Sequence, residues 1–519
     1  VLAFARLPRK MNPSDYRRDY RAYRSAVERA LYEHSVDAST RLELRPTEER
    51  YAELWTREAV GELRRARDEL SETFETERAG LCALAGAASL KHAESRASEV
   101  TGELRLCAES TRVEWDGVRG AASEVPDALA SERDAERRRS RARRWLDSIS
   151  ACDDLRAARL EALGEAARGL DFDGRAALYE SFTGVSLEAL AASADSFLRR
   201  TESAYMSRLA EWAARELPAG AGLAPDYSDT FFFERSTRFD ERLPARAFRQ
   251  LYVEALAGLG VRVESQRNLH VEDASAERVE TACFATLPPE DVRLVVGSRE
   301  GGLEFQRRGF REGARAQVFA WASRDASARH PEFVYAADTA TERGHALLLS
   351  HLFVEPSWLA GRRGMRATEA LETARAASLV ELYEARLDCA RLRHALALDT
   401  AGDARSEQST EEYAARFTEA TGFRYHAASH LRDADEWFAS ATGLRARLLA
   451  AGLREHLRSR HGRRWFASPA AGGELIDVWN TASRYRAEEL ARLLWGGGDL
   501  SFDLLADALL EELKGDEGA

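Results

Sequence analysis

The sequence predicts a mainly helical protein of α+β type, in which one small sheet separates two long helical stretches. Three observations predict it. Over residues 47–215 apolar side chains recur every three or four positions while Pro and Gly are sparse, the mark of amphipathic helices with few interruptions. Between 261 and 297 short β-branched runs bounded by Gly, Pro and Asn follow, the mark of strands. After Gly309 the helical spacing returns and persists to the end of the chain.

Each element follows from its own residues. Tyr51, Leu54, Trp55, Ala59, Leu63 and Leu70 predict one helix from Thr47 to about Glu77. A second long helix, from Ser131 to about Leu170, buries Trp145, Leu146, Ile149, Leu155, Leu160 and Leu163. Its run ERDAERRRSRARR could serve as a nucleic-acid patch, but its acidic neighbours favour a solvated face laced with i,i+4 ion pairs. PAGAGLAP (Pro218–Pro225) marks a junction. Strands are expected at Val261–Ser265, Arg278–Leu287 and Asp291–Gly297, with Pro288–Pro289 as a turn between the last two. Ser409 and Glu412 form a capping-box start for a helix carrying Tyr413 and Phe417. The glycines of WGGGDL end a later helix. These shifts divide the chain into a helical lobe (1–217), a linker with a small sheet (218–300) and a second helical lobe (301–519).

Composition narrows the function. With 519 residues the chain is long enough for a large core in two or more subdomains. A net charge of −12 argues against a coat for nucleic acid. No run of about 18 apolar residues suggests a membrane span, and the start, VLAFARLPRK, is too short and interrupted for a secretory signal, with Met11 a candidate natural start. Cys82, Cys107, Cys152, Cys283 and Cys389 form no CxxC pair and are expected as reduced thiols of a cytoplasmic protein. There is no G-x-S-x-G elbow, P-loop or dinucleotide fingerprint. Phe231–Phe233 is expected as a core anchor rather than a binding edge. Ser459–Trp465 (SRHGRRW) is an exposed helix end as readily as an anion site.

The informative stretch is Phe310–Leu352. RVETACFATLPPEDVRLVVGSREGGLEFQRRGFREGARAQ (278–317) is similar to the strand–strand–HEAGH segment of the thimet-oligopeptidase-like, gluzincin metallopeptidases. PEFVYAADTATERGHALLLSHLFVEPSWL (331–359) resembles the helix that supplies their third metal ligand, and residues 32–54 and 456–479 also resemble a bacterial branch of that family. The resemblance implies a large helical peptidase fold with two lobes, a deep cleft, and a small β-sheet beside the former active-site helix of the second lobe. It also implies positions. Glu312 stands at the general base, Glu342 at the third ligand, and Arg311 and Arg315 at the two zinc histidines. Ala439 and Thr442 fall near the tyrosines that stabilise the tetrahedral intermediate, and DVRLVVG (Asp291–Gly297) at the strand edge that pairs with substrate.

A guanidinium has no lone pair to donate and does not deprotonate in proteins, so it cannot hold zinc. Zinc, expected in the family, is therefore expected to be lost, with no cofactor in its place and no metal held. Without the ion Glu312 and Glu342 would repel across a cleft, and Arg311 and Arg315 are expected to fork onto both. His426 and His430, at i,i+4, and His345, three residues after Glu342, are candidate cleft residues for a rebuilt metal site; the blander reading is polar cleft or surface histidines. The function expected is a pseudopeptidase whose cleft binds peptide or protein, with neither nucleic acid nor membrane as partner. The alternatives are a working hydrolase with a rebuilt metal site and Glu312 as base, or a structural partner of an active paralogue.

Overall fold

The computed structural model describes residues 12–37, 42–217, 224–274, 280–297, 301–401 and 403–514. The helices used below are numbered in chain order: α1 (Pro13–Val36), α2 (Ala135–Ile149), α3 (Leu187–Glu216), α4 (Tyr227–Arg235), α5 (Leu303–Trp321), α6 (Ala340–Ser350), α7 (Ala367–Thr400), α8 (Ala439–His461) and α9 (Phe502–Lys514). The strands are β1 (Arg112–Trp115), β2 (Val118–Ala121), β3 (Leu269–Asp273), β4 (Ala282–Leu287) and β5 (Asp291–Val296). Among the described residues no helix is long and apolar enough to cross a membrane.

Two apolar cores organise the chain, and each draws on its early and late segments. The first joins Tyr16, Tyr20 and Leu63 to the three-stranded sheet, α5 and α6, and to Trp358, Trp465 and Trp479. The second joins Leu146, Trp212 and Phe233 to Leu382, Phe417, Leu444 and Leu509. Helices α5 and α6 belong to the first core and most of α7 to the second, so the space between them lies where the cores meet.

The long helices are more broken than the periodicity suggests. Residues 47–77 split into Arg45–Arg50, a 3-10 turn at Ala52–Trp55, Arg57–Asp68, and the start of Glu75–Arg96. Thr56 turns extended and its hydroxyl accepts the Ala59 N–H at 3.2 Å, an N-cap that restarts the helix. The second stretch breaks at the 3-10 turn Ser150–Cys152. There Cys152 is disulfide-bonded to Cys107, correcting the expectation of free thiols; the two Cα atoms stand 6.1 Å apart across 45 residues of sequence. Cys82, Cys283 and Cys389 are free.

The basic run on α2 is not wholly solvated either. Arg138 and Arg139 are buried; Arg138 donates from Nε (3.0 Å) and Nη2 (2.7 Å) to Asp229 Oδ1. Asp229 in turn closes the capping box of α4, so the inward arginines anchor a helix start while Arg137, Arg143 and Arg144 face water. The later capping residue is Ser406, three residues upstream of the expected Ser409, whose own N–H it accepts at 3.2 Å. Gly496 and Gly497, both at positive φ, end the Ala487–Leu494 helix as expected.

The sheet has the order β3–β5–β4, with β3 parallel and β4 antiparallel to β5. Val261–Ser265 is not a strand. The Val261 N–H returns to the Leu256 carbonyl at 2.8 Å to close the preceding helix, and Val263–Ser265 is a 3-10 turn. The missing third strand is β3. A separate hairpin, β1–β2, turns at Asp116–Gly117, both at positive φ.

Candidate functional site

Helix α5 is held tightly against the first core by its glycines. A Cβ on Gly309 would meet the Phe248 ring at 2.3 Å and one on Gly313 the Tyr252 ring at 2.4 Å, so only glycine lets the helix approach this closely. Arg311, Glu312 and Arg315 line a cavity of about 770 Å3, together with Glu342 of α6, Glu384 and Asp388 of α7, and Arg447 of α8.

Arg315 joins the two carboxylates that the resemblance singles out. Its Nη1 donates to Glu312 Oε2 at 2.7 Å and its Nε to Glu342 Oε1. The attraction of Glu342, with that of Glu312 behind it, outweighs burial and holds the Arg315 pKa well above its ordinary value. Glu312 Oε2 also accepts the backbone N–H of Cys283 at 3.0 Å.

Arg311 departs from the expectation. It turns away from Glu312 and Glu342 to a second cluster, donating to Glu304 and lying 3.8 Å from Glu384. Arg307 contacts the same two carboxylates at 3.3 and 3.2 Å, and Arg447 reaches Glu384 and Asp388 at 3.3 Å each. Burial would raise the Glu384 pKa, but Arg307, Arg447 and Arg311 bring it down to about 2. Of this second cluster the sequence singled out only Arg311; Glu304, Arg307, Glu384, Asp388 and Arg447 were not expected there. Their signal was the one-face spacing of Glu304, Arg307 and Arg311, and of Glu381, Glu384 and Asp388.

The candidate histidines do not meet at the cleft. His345 is buried on the other side of α6, edge-on to Trp479 at 6.5 Å, with neither ring nitrogen partnered; burial alone lowers its pKa to about 4. His426 and His430 flank a 3-10 turn rather than sharing an α-helical face. His426 Nε2 lies 3.1 Å from Asp226, and His430 contacts the carbonyls of Ala427 and Ala404. None of the three lines the cavity. Ala439 does line it, whereas Thr442 turns away to the Tyr179 hydroxyl at 3.0 Å.

The strand expectation changes as well. Asp291–Gly297 holds β5, the central strand, so it has no free edge to offer. The edges belong to β3 and β4, and that of β4, which meets Glu312, is already engaged: the Cys283 N–H by Glu312, and the Ala285 N–H by Glu28 of α1 at 3.2 Å. The Thr286 and Ala285 carbonyls accept from Ser25 Oγ (2.5 Å) and the Tyr335 hydroxyl (2.9 Å).

The donor set at Glu312 and Glu342 does not fit a zinc ion, because both carboxylates accept from a guanidinium and no imidazole reaches them. Among the described residues one group brings three possible ligand atoms within 4.8 Å of one another: His351, Glu381 and Glu512. His351 Nδ1 lies 3.0 Å from Glu381 and its Nε2 3.1 Å from Glu512, and Arg454 contacts His351 and Glu512. Burial and Arg454 oppose the charge on His351, but Glu512 and Glu381 raise its pKa to about 9. Two carboxylates, an imidazolium and a guanidinium thus balance one another, and Glu381 also lies 3.6 Å from Arg307, which links this group to the second cluster.

The fold as a whole has counterparts. A carboxypeptidase of Pyrococcus furiosus matches with a TM-score of 0.59 over 97% of this chain and 99% of that one, at 13% identity. Metallocarboxypeptidase 1 of Trypanosoma cruzi matches with a TM-score of 0.58 over 96% and 100%, at 12% identity. At that identity the likeness is one of fold, and the fold is metallopeptidase-like. No family model and no curated protein sequence matches the chain.

Proposed function

We propose that this chain is a degenerate metallopeptidase homologue, of thimet-oligopeptidase-like descent, that neither holds zinc nor hydrolyses peptides and keeps its cleft for binding a peptide or protein. The observation that carries this reading is the Arg315 guanidinium bonded to both Glu312 and Glu342. Glu312 Oε2 already accepts from Arg315 and from the Cys283 N–H, so that oxygen is not open to a water it would have to activate. The pair is also a poor metal site, because a guanidinium that cannot lose its charge stands between the two carboxylates and repels a second cation.

The engaged β4 edge supports the same reading. A peptide added as a strand there would have to displace Glu312 and Glu28 from backbone N–H groups. Recognition in this cleft therefore rests on side chains, and the cavity wall supplies charges of both signs. The second reading, a hydrolase with a rebuilt metal site, has one observation in its favour, the convergence of His351, Glu381 and Glu512. Arg454 already balances that group, which places this reading second.

The test is metal analysis of the full chain grown with zinc and without chelator, alongside cleavage of a peptide library with Glu312→Gln as control. The expected result is no stoichiometric zinc and no Glu312-dependent cleavage. One tightly held zinc per chain, or cleavage abolished by Glu312→Gln, overturns the proposal. If that zinc disappears in Glu512→Gln, the His351 group is its site. The double variant Arg311→His, Arg315→His is expected to gain a zinc that the parent lacks.

A further inference from the structure

A second cavity, of about 340 Å3, opens along the N-terminal half of α7, away from the charged one. That volume is at the lower end of the range for small-molecule pockets, about 300–1,000 Å3. Its floor is apolar: Trp212 of α3, Phe232 and Phe233 of α4, and Leu379 and Val380 of α7. Trp212 meets Phe233 edge-on with ring centroids 5.0 Å apart, so ring packing fixes the floor.

The rim is cationic. Arg208, Arg215, Arg238 and Arg375 line it against Glu211, Glu216 and Glu372, and Arg242 behind the lining also shares Glu372, so guanidinium groups outnumber carboxylates. The three carboxylates are spoken for. Glu211 takes Arg208 at 2.8 Å; Glu216 takes Arg215 at 2.9 Å and Arg238 at 3.2 Å. Glu372 is shared by Arg238 at 3.5 Å and Arg242 at 2.7 Å. Arg375 is left with no carboxylate among the described residues. Its Nη2 donates to the Lys514 carbonyl at 3.3 Å, and its Nε is buried without a partner. Burial, with Arg215 and then Arg242 close by, pulls the Arg238 pKa down, a crowding of like charge that an anion would relieve.

We propose that this cavity binds an amphipathic monocarboxylate, its apolar chain or ring on the aromatic floor and its carboxylate on the arginine rim with Arg375 as principal partner. Guanidinium groups outnumber carboxylates here, which selects an anion, and Arg375, the lining arginine left with no carboxylate among the described residues, matches a single carboxylate. The floor excludes a purely polar anion, which would forgo the apolar contact. A cationic amphiphile would meet four guanidinium groups.

Calorimetric titration of the full chain with sodium decanoate, decanol and decyltrimethylammonium separates these terms. One decanoate per chain is expected, with decanol bound about tenfold or more weakly, the worth of a charge-assisted hydrogen bond, and no binding of the ammonium. Arg375→Gln should weaken decanoate by about tenfold while leaving decanol unchanged, and Arg375→Lys should restore much of the loss. Ala376→Phe, which places a ring in the cavity, should abolish binding of both while leaving the thermal unfolding transition intact. Equal affinity for decanoate and decanol, binding that survives Ala376→Phe, or no saturable binding of any of the three overturns the proposal.

Discussion

The two sides of α6 treat buried polar atoms in opposite ways. Toward the cleft, Glu342 is 7% exposed, yet its charge is answered by Arg315. Toward the core, His345 is 1% exposed with nothing to bond, and its pKa sinks to about 4. A few residues on, His351 is also buried, but between Glu381 and Glu512 its pKa climbs to about 9. Burial by itself lowers the pKa of an imidazole, as at His345, and carboxylates beside it reverse that sign, as at His351.

The comparison can be broken most forcefully at Arg315. Arg315→Ala leaves two carboxylates facing each other and is expected to cost about 3 to 4 kcal/mol, toward the low end for a broken buried pair because the guanidinium is a third exposed. Urea unfolding reads it, and adding Glu342→Gln should return part of the loss. A cost near zero would mean the pair is not formed in solution.

His345 should act next, and only in acid. Its folded-state pKa lies below the ordinary 6.5, so the unfolded chain takes the proton first as pH falls. Its contribution is full above about pH 6.5 and is lost toward pH 4, about 3 kcal/mol in all. His345→Phe should flatten that acid limb in denaturant titrations at several pH values.

His351 works in the opposite direction. Its raised pKa gives stability that is full below pH 6.5 and is lost as pH rises through about 9. His351→Gln should flatten the alkaline limb by about 2 kcal/mol, less than the shift alone implies because Arg454 stands beside the same carboxylates. The smallest effect belongs to Arg311→Gln, about 1 kcal/mol, since Arg307 remains on both Glu304 and Glu384. A loss as large as that of Arg315→Ala would show the two arginines acting as one unit.

Much of this could be read from residues alone. The helical class, the sheet between helices, and β4 and β5 rest on local spacing, whereas the nearness of Arg315, Glu312 and Glu342 was implied by the family resemblance. What escaped depends on the partners that folding supplies. Arg138 looks like any surface arginine until Asp229, 91 residues away, meets it. The direction of Arg311 is set by Glu384 on another helix, and a spacing of 45 residues does not announce that Cys107 and Cys152 will pair. The β1–β2 hairpin is different: Asp116–Gly117 is a strong local turn signal and was there to be read. β3 is hard to see because LHVED is short and half polar, while the more β-branched VRVES is used to close a helix.

Helix α7 runs for 34 residues, about 51 Å at 1.5 Å per residue. Val380 looks into the arginine-rimmed cavity, and Glu384, about one turn further on, looks into the cleft. One helix thus supplies part of the apolar floor of one chamber and part of the acidic wall of the other.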